Sequence, residues 1–420
     1  MTAEIAVLNR TAVALAADSA STSLQATGLP KIFNTADKLF HLDGVSPIGI
    51  MVYGSASFMG VPWETLIKKY REVATPNPPT LAQGSENFLS FLSSAQLLSD
   101  AHLRSWLELQ ISELTVEAER HFRSEVERRG PPATVAQICA ELAATWAAIP
   151  LLPGISEANV NTFVLQMNDV LDREIDKAFS NNPLAAAERQ TLKSTVARVN
   201  LTVPREADPV VSGIAVAGFG NEELFPVLWN CRIKSVLANR MLQRTPAQSE
   251  PLTMPMTAMI RPFAQGEMVY SFMHGIDPNL RQTAERAIAD LVGRFSDQLA
   301  AITGFTGAPL ATFRANAAAI ATSLTQNFRD EIERYCREKH VDPVLAAVGL
   351  LPKDQLAVMA ETLVSLTSFK RKMSRDAETV GGDVDVAVIS KGDGFIWVKR
   401  KHYFPPELNV RYIERIKEQL

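Results

Sequence analysis

Thr2 is the residue in this 420-residue sequence with the most direct chemical potential. A threonine hydroxyl is a poor nucleophile and needs a base beside it. A free α-amine titrates at about pH 7.7–8.0, so it can take up a proton near neutrality. Removal of Met1 would put such an amine on the same residue as the hydroxyl, a known nucleophile–base pairing. Thr2 is small enough for an aminopeptidase to remove the methionine ahead of it, with no longer propeptide required. Other chemistry-bearing patterns are weaker. Cys336 and His340 stand four apart on an expected helix, but they lack the further ligands a metal needs, and plain helix surface is expected there. No GxGxxG follows a strand, and neither GxxxxGK[ST] nor GxSxG occurs.

Composition narrows the classes. A net charge of −4 and a pI of about 6.0 argue against a general nucleic-acid binder, which would carry a basic domain or stripe. The longest weakly polar stretch, 143–155, is too short to span a membrane and contains Pro150 and Pro153. No basic n-region or apolar h-region follows Met1, so no secretory signal is expected. Cys139, Cys231 and Cys336 are odd in number and widely spaced, with no CxxC pair, which fits a reducing cytoplasm.

The elements that must position Thr2 read as strand pairs separated by long helical stretches. Residues 4–18 read as two strands turning near Asn9-Arg10, and 38–54 as another pair turning at Asp43-Gly44. A helix is expected from Trp63 to about Val73, with apolar residues at a 3–4 spacing. Helix is expected again from about Glu86 to Arg129, ended by Gly130-Pro131-Pro132, and over most of 133–200. Strands return at 210–235, with Gly220-Asn221 between two apolar runs, and a strand-like segment spans 255–275. Helices fill about 280–373, and the last strands are 383–390 and 394–399. Hairpins give antiparallel sheets, and apolar sheet faces need helices over them. An α+β fold is therefore expected.

Several segments resemble the proteasome β-type and bacterial proteasome-like family of N-terminal nucleophile hydrolases. Thr2-Ala3-Glu4-Ile5-Ala6-Val7 resembles the family's nucleophile strand, and Val13-Ala14-Leu15-Ala16-Ala17-Asp18-Ser19 its second strand. The Thr2–Asp18 separation matches the family's nucleophile-to-aspartate distance without a gap. Lys38-Leu39-Phe40-His41-Leu42 resembles the segment where a catalytic lysine opens a strand, and Tyr53-Gly54-Ser55-Ala56 the turn before the first helix. Gly213 to Phe225 resembles the central hairpin, Gln265 to Tyr270 the turn after it, and Thr379 to Ile389 the closing Gly-Gly strand. The resemblance implies a four-layer αββα sandwich of two antiparallel sheets, built from 1–75, 205–280 and 353–420, with helical insertions at 76–204 and 281–352.

The same resemblance implies roles. Thr2 would attack an amide carbonyl and form an acyl-enzyme ester. Lys38 would hold a positive charge near its hydroxyl, Asp18 would pair with Lys38, and Gly54 would offer a backbone N–H to the oxyanion. Thr22 and Gly54 would flank an extended peptide. Lys31, in Lys31-Ile32-Phe33, is a rival to Lys38, which is preferred for its distance to Gly54. Gln265 and Val380 stand where the family has serines, and Asp376 supplies the expected aspartate only with a shift of register. A peptide or protein substrate, a homo-oligomer and an ATPase partner are implied, with no cofactor or metal. The alternative is a catalytically degenerate scaffold of the same fold. Nothing precedes the first strand here, unlike the helix that opens non-catalytic α-type subunits.

Overall fold

A computed structural model describes residues 2–24, 30–129, 135–205, 208–302, 307–374, 380–402, 404–405, 408–411 and 414. Asp376 and Thr379 lie outside the described residues, as does the side chain of Thr22. The chain opens with strands β1 (Ala3–Asn9) and β2 (Ala12–Ala17), a ribbon of β3 (Ser21–Leu24) and β4 (Pro30–Phe33), then β5 (Leu39–His41) and β6 (Ile48–Gly54). A small ribbon, β7 (Ser57–Phe58) and β8 (Val61–Pro62), leads into helices α1 (Trp63–Arg71) and α2 (Leu81–Leu92). Five helices follow: α3 (Asp100–Arg129), α4 (Val135–Ala147), α5 (Glu157–Gln166), α6 (Asn168–Ala178) and α7 (Ala186–Val199). Strands return as β9 (Ser212–Gly218), β10 (Val227–Val236), β11 (Leu242–Arg244), β12 (Gln248–Pro251) and β13 (Ala258–Ala264). Helices α8 (Glu267–His274), α9 (Pro278–Ile302), α10 (Gly307–Cys336), α11 (Asp342–Val348) and α12 (Lys353–Met373) precede the closing hairpin of β14 (Asp385–Ser390) and β15 (Gly394–Lys399).

Two antiparallel sheets result, ordered β13-β1-β2-β14-β15 and β11-β10-β9-β6-β5, with β12 also paired to β10. They pack face to face. Ala6, Leu8, Val13, Leu15 and Ile389 of the first sheet share one buried core with Met51, Ala215, Ala217 and Leu228 of the second. Gly49 leaves room for the first sheet's side chains, since a Cβ there would sit 2.7 Å from Ile389 Cδ1 and 2.8 Å from Leu15 Cδ1. Period-2 alternation sends the other residues of these strands outward. Ala3, Ile5, Val7, Ala12, Ala14 and Ala16 meet Leu356, Ala360, Leu363 and Val364 of α12, the alanines leaving room for the helix. On the far side, Ile50, Val52, Ile214, Val216 and Trp229 meet Leu66, Ile67 and Tyr70 of α1 and Phe88 and Leu89 of α2. Four layers stack as helix, sheet, sheet, helix, an α+β sandwich.

Both long helical stretches divide in two. α2 belongs to the layer on the second sheet, while α3 to α7 enclose a core of their own around Ile111, Ile138, Val160, Leu171 and Val196. α11 lies on the first sheet's helical layer, with Val348 buried there. α9 and α10 pair with each other, bridged by Arg281 to Glu333 at 2.7 Å and Arg329 to Glu285 at 3.0 Å.

One expected strand needs correction. The segment 255–275 holds strand only over Ala258–Ala264, and Glu267–His274 is helix. Val269 and Met273, four apart, bury one face of that helix, and Gly275 ends it in the left-handed conformation at φ +68.

Candidate active site

The start of β1 carries the site. Thr2, Glu4, Ala6 and Leu8 occupy one face of the strand, the face turned toward the second sheet. The apolar pair packs in the intersheet core, and the polar pair lies at its mouth. Thr2 is only 6% exposed, and its hydroxyl donates to Glu4 Oε2 at 3.1 Å. The Thr2 carbonyl accepts from Gln265 N at 3.1 Å, continuing the β1–β13 ladder past Ala3 and Ala264.

Asp18 lies just past the end of β2, which pairs with β1 in the register Glu4 to Ala17. Its carboxylate is buried and fully engaged. Oδ1 accepts from Ala3 N at 3.0 Å and from Lys38 Nζ at 2.5 Å. Oδ2 accepts from Ala20 N at 3.2 Å and from Gly381 N at 3.0 Å. Ser19 N returns a bond to Gly381 O at 3.2 Å, so the closing Gly-Gly segment is tied onto the end of β2. At Gly382, φ is +76 and a Cβ would lie 2.9 Å from Asn34 Cβ, which explains a glycine there.

Lys38 enters from the residue before β5 and is itself 6% exposed. It forms ion pairs with Asp18 at 2.5 Å and with Glu4 Oε1 at 3.8 Å. Lys31 is elsewhere: it is exposed on β4, with its ammonium 5.0 Å from the Phe33 ring centre. The lysine beside the threonine is therefore Lys38. Glu4, which sequence reasoning did not single out, stands between Lys38 and the Thr2 hydroxyl. Burial pushes its carboxyl up to about 8, against the pull of Lys38, the hydrogen bond from Thr2 and the chain's N-terminal ammonium, and with a further push from Asp18. The available signal was its parity with Thr2, since a carboxylate at an inward position of an otherwise apolar strand has to have a reason.

These groups border a pocket of about 330 Å³. Thr2, Lys38, Ala20, Ser21, Gly54 and Trp63 are among the residues that line it. Gly54 has φ +83, and a Cβ would fall 2.6 Å from Val211 O, so the turn requires glycine twice over. Trp63 is fixed by its indole N–H, which donates to Ser55 O at 3.2 Å and Ser212 Oγ at 3.1 Å. Tyr53 lines this pocket and also a neighbouring groove of about 800 Å³ toward Arg261 and Tyr270. Pro209 is likewise shared with a third hollow, lined by Arg120 and Glu117 of the helical stretch.

Thr2, Asp18, Lys38 and Gly54 are thus brought together. Of Thr22, only the backbone pairing with Ile32 is described. Gln265 meets Thr2 through its backbone, and Val380 is fully buried in the layer beneath α12. Among the described residues, no group of three or more His, Cys, Asp or Glu side chains could hold a metal, and no helix is long and apolar enough to cross a membrane. Cys139, Cys231 and Cys336 are free and buried. Compared with models of protein families and with curated proteins, the chain gives no match.

Proposed function

We propose that this protein is an amide-bond hydrolase of the N-terminal nucleophile type, with Thr2 as nucleophile once Met1 is removed and a peptide as substrate. The observation that carries this reading is a single pocket lined by both Thr2 and Lys38, with Lys38 held in a buried ion pair to Asp18. A buried ammonium needs a reason, because desolvating it is costly unless it is paired. Here it supplies positive potential beside a hydroxyl that must become an alkoxide. Gly54, which lines the same pocket, supports the oxyanion role.

Two further hollows that share Tyr53 and Pro209 with this pocket suit an extended substrate rather than a compact one. The reading includes a homo-oligomer, supported by Leu291, Phe295 and Leu299, which recur along α9 and are exposed. It also includes a cytoplasmic setting, supported by three free cysteines.

A second reading, a degenerate scaffold, is favoured by Val380, whose buried alkyl side chain offers no hydroxyl. Hydrolysis separates the two. A panel of fluorogenic peptide amides is expected to be cleaved by the protein with its native N-terminus and not by Thr2→Ala. Equal turnover by both would remove Thr2 from the reaction, and no turnover by either would favour the scaffold.

A further inference from the structure

We propose that Glu4 is the general base of this site: its carboxylate, rather than the α-amine, takes the proton from the Thr2 hydroxyl. The inference rests on the threonine reading and replaces only its base. Three observations carry it. The hydroxyl's recorded hydrogen bond is to Glu4 Oε2, at 3.1 Å, within the reach a general base needs. The second oxygen, Glu4 Oε1, is buried, has no hydrogen-bond partner among the described residues and lies 3.8 Å from Lys38 Nζ. Lys38 already has a full counter-ion in Asp18, so Glu4 is not needed to neutralise it.

A carboxylate placed only to pair with lysine would be redundant here, and an expensive one, because it is 1% exposed. The charged and polar groups that act on it are Thr2 on its own strand, Asp18 at the end of β2, Lys38 before β5 and, until Met1 is removed, the positive charge of the amino terminus. Burial outweighs the positive neighbours and holds the carboxyl near pH 8, the range in which a general base works best around neutrality.

The proton inventory closes. As Thr2 Oγ forms its bond to the substrate carbonyl carbon, its proton passes to the Glu4 carboxylate. Collapse of the tetrahedral intermediate breaks the C–N bond, and the Glu4 carboxyl gives that proton to the leaving nitrogen. Water then attacks the ester, losing a proton to Glu4, and the same proton returns to Thr2 Oγ as the alcohol leaves.

The test is the rate at which a peptide β-lactone, which acylates a hydroxyl, modifies the full chain between pH 5.5 and 9, followed by intact mass. The wild type, Glu4→Gln, Glu4→Asp and Thr2→Ala are compared. Glutamine still accepts the Thr2 hydrogen bond, so a purely structural role leaves the rate intact. The expected result is a fall of about 10²- to 10⁴-fold in Glu4→Gln, with the rise toward alkaline pH lost. Glu4→Asp should recover part of the rate, and thermal unfolding should show both variants folded. Labelling of Glu4→Gln within about threefold of wild type, on the same pH profile, would overturn the inference and leave the threonine reading standing, because Thr2→Ala alone stays unlabelled. A wild type that never labels would remove both.

Discussion

Asp18→Ala is expected to lower folding stability by about 3–5 kcal/mol, the cost of leaving a buried charge without its partner. The reason is the number of groups that carboxylate serves. Lys38 Nζ, Ala3 N, Ala20 N and Gly381 N all donate to it, and all four donors belong to buried residues, so losing the acceptor leaves buried polar groups without it. The residues it ties come from β1, the β2 exit, the β5 entry and the segment before β14, so its loss loosens four parts of the chain around Thr2. Asp18→Asn should cost less, because one amide oxygen can still accept from backbone N–H groups while the charge on Lys38 goes uncompensated. Urea unfolding of the three proteins measures the order, provided the slopes match. A midpoint for Asp18→Ala close to that of wild type would show that this carboxylate does not hold the site together.

Glu4 should make the protein less stable as pH rises, and Glu4→Gln should abolish much of that loss. Its folded carboxyl stands near 8, against an ordinary value of 4.5. Between those values the folded chain keeps a proton that the unfolded chain has released. Stability from this group is therefore full below about pH 4.5 and is lost toward pH 8, at no more than about 1.4 kcal/mol per pH unit. Across the window the total is at most about 5 kcal/mol. His41 acts with the opposite sign over part of the same range, since burial lowers its value and favours its neutral form in the folded state. The quantity to measure is therefore the difference between wild type and Glu4→Gln at each pH, in which His41 cancels. That difference should be small at pH 5 and favour Glu4→Gln increasingly toward pH 8. A difference that stays flat, or that favours wild type at pH 8, would mean that the folded carboxyl is ionised throughout.

Much of the sandwich was legible because its strands are short apolar runs bounded by turn residues. β1 and β2 are apolar on both faces, one facing the second sheet and the other α12, which is how a strand covered on both sides reads. The β3–β4 ribbon was not legible. Ser21–Leu24 and Pro30–Phe33 are too polar and too short for periodicity to mark them. α8 was misread for the opposite reason: Val269, Tyr270 and Phe272 favour strands, and the helix is decided by the buried Val269–Met273 face and the Gly275 stop.

In the site, Thr2, Asp18 and Lys38 lie within the first 38 residues and could be proposed from spacing and resemblance. What spacing could not supply was the fourth side of the Asp18 carboxylate. Gly381 N is 363 residues away in sequence and reaches it only because β14 pairs with β2. Glu4 was hidden differently. It sits in full view in the second strand position after Thr2, but its burial appears only when β2 and Lys38 close over it.

The measurement that bears most directly on the account is the intact mass of the purified protein before and after a peptide epoxyketone. The expected spectrum shows a chain lacking Met1 that gains the mass of one inhibitor, with no gain in Thr2→Ala. A chain that retains Met1, or one that loses it and never takes up the inhibitor, would contradict an N-terminal threonine nucleophile at this pocket.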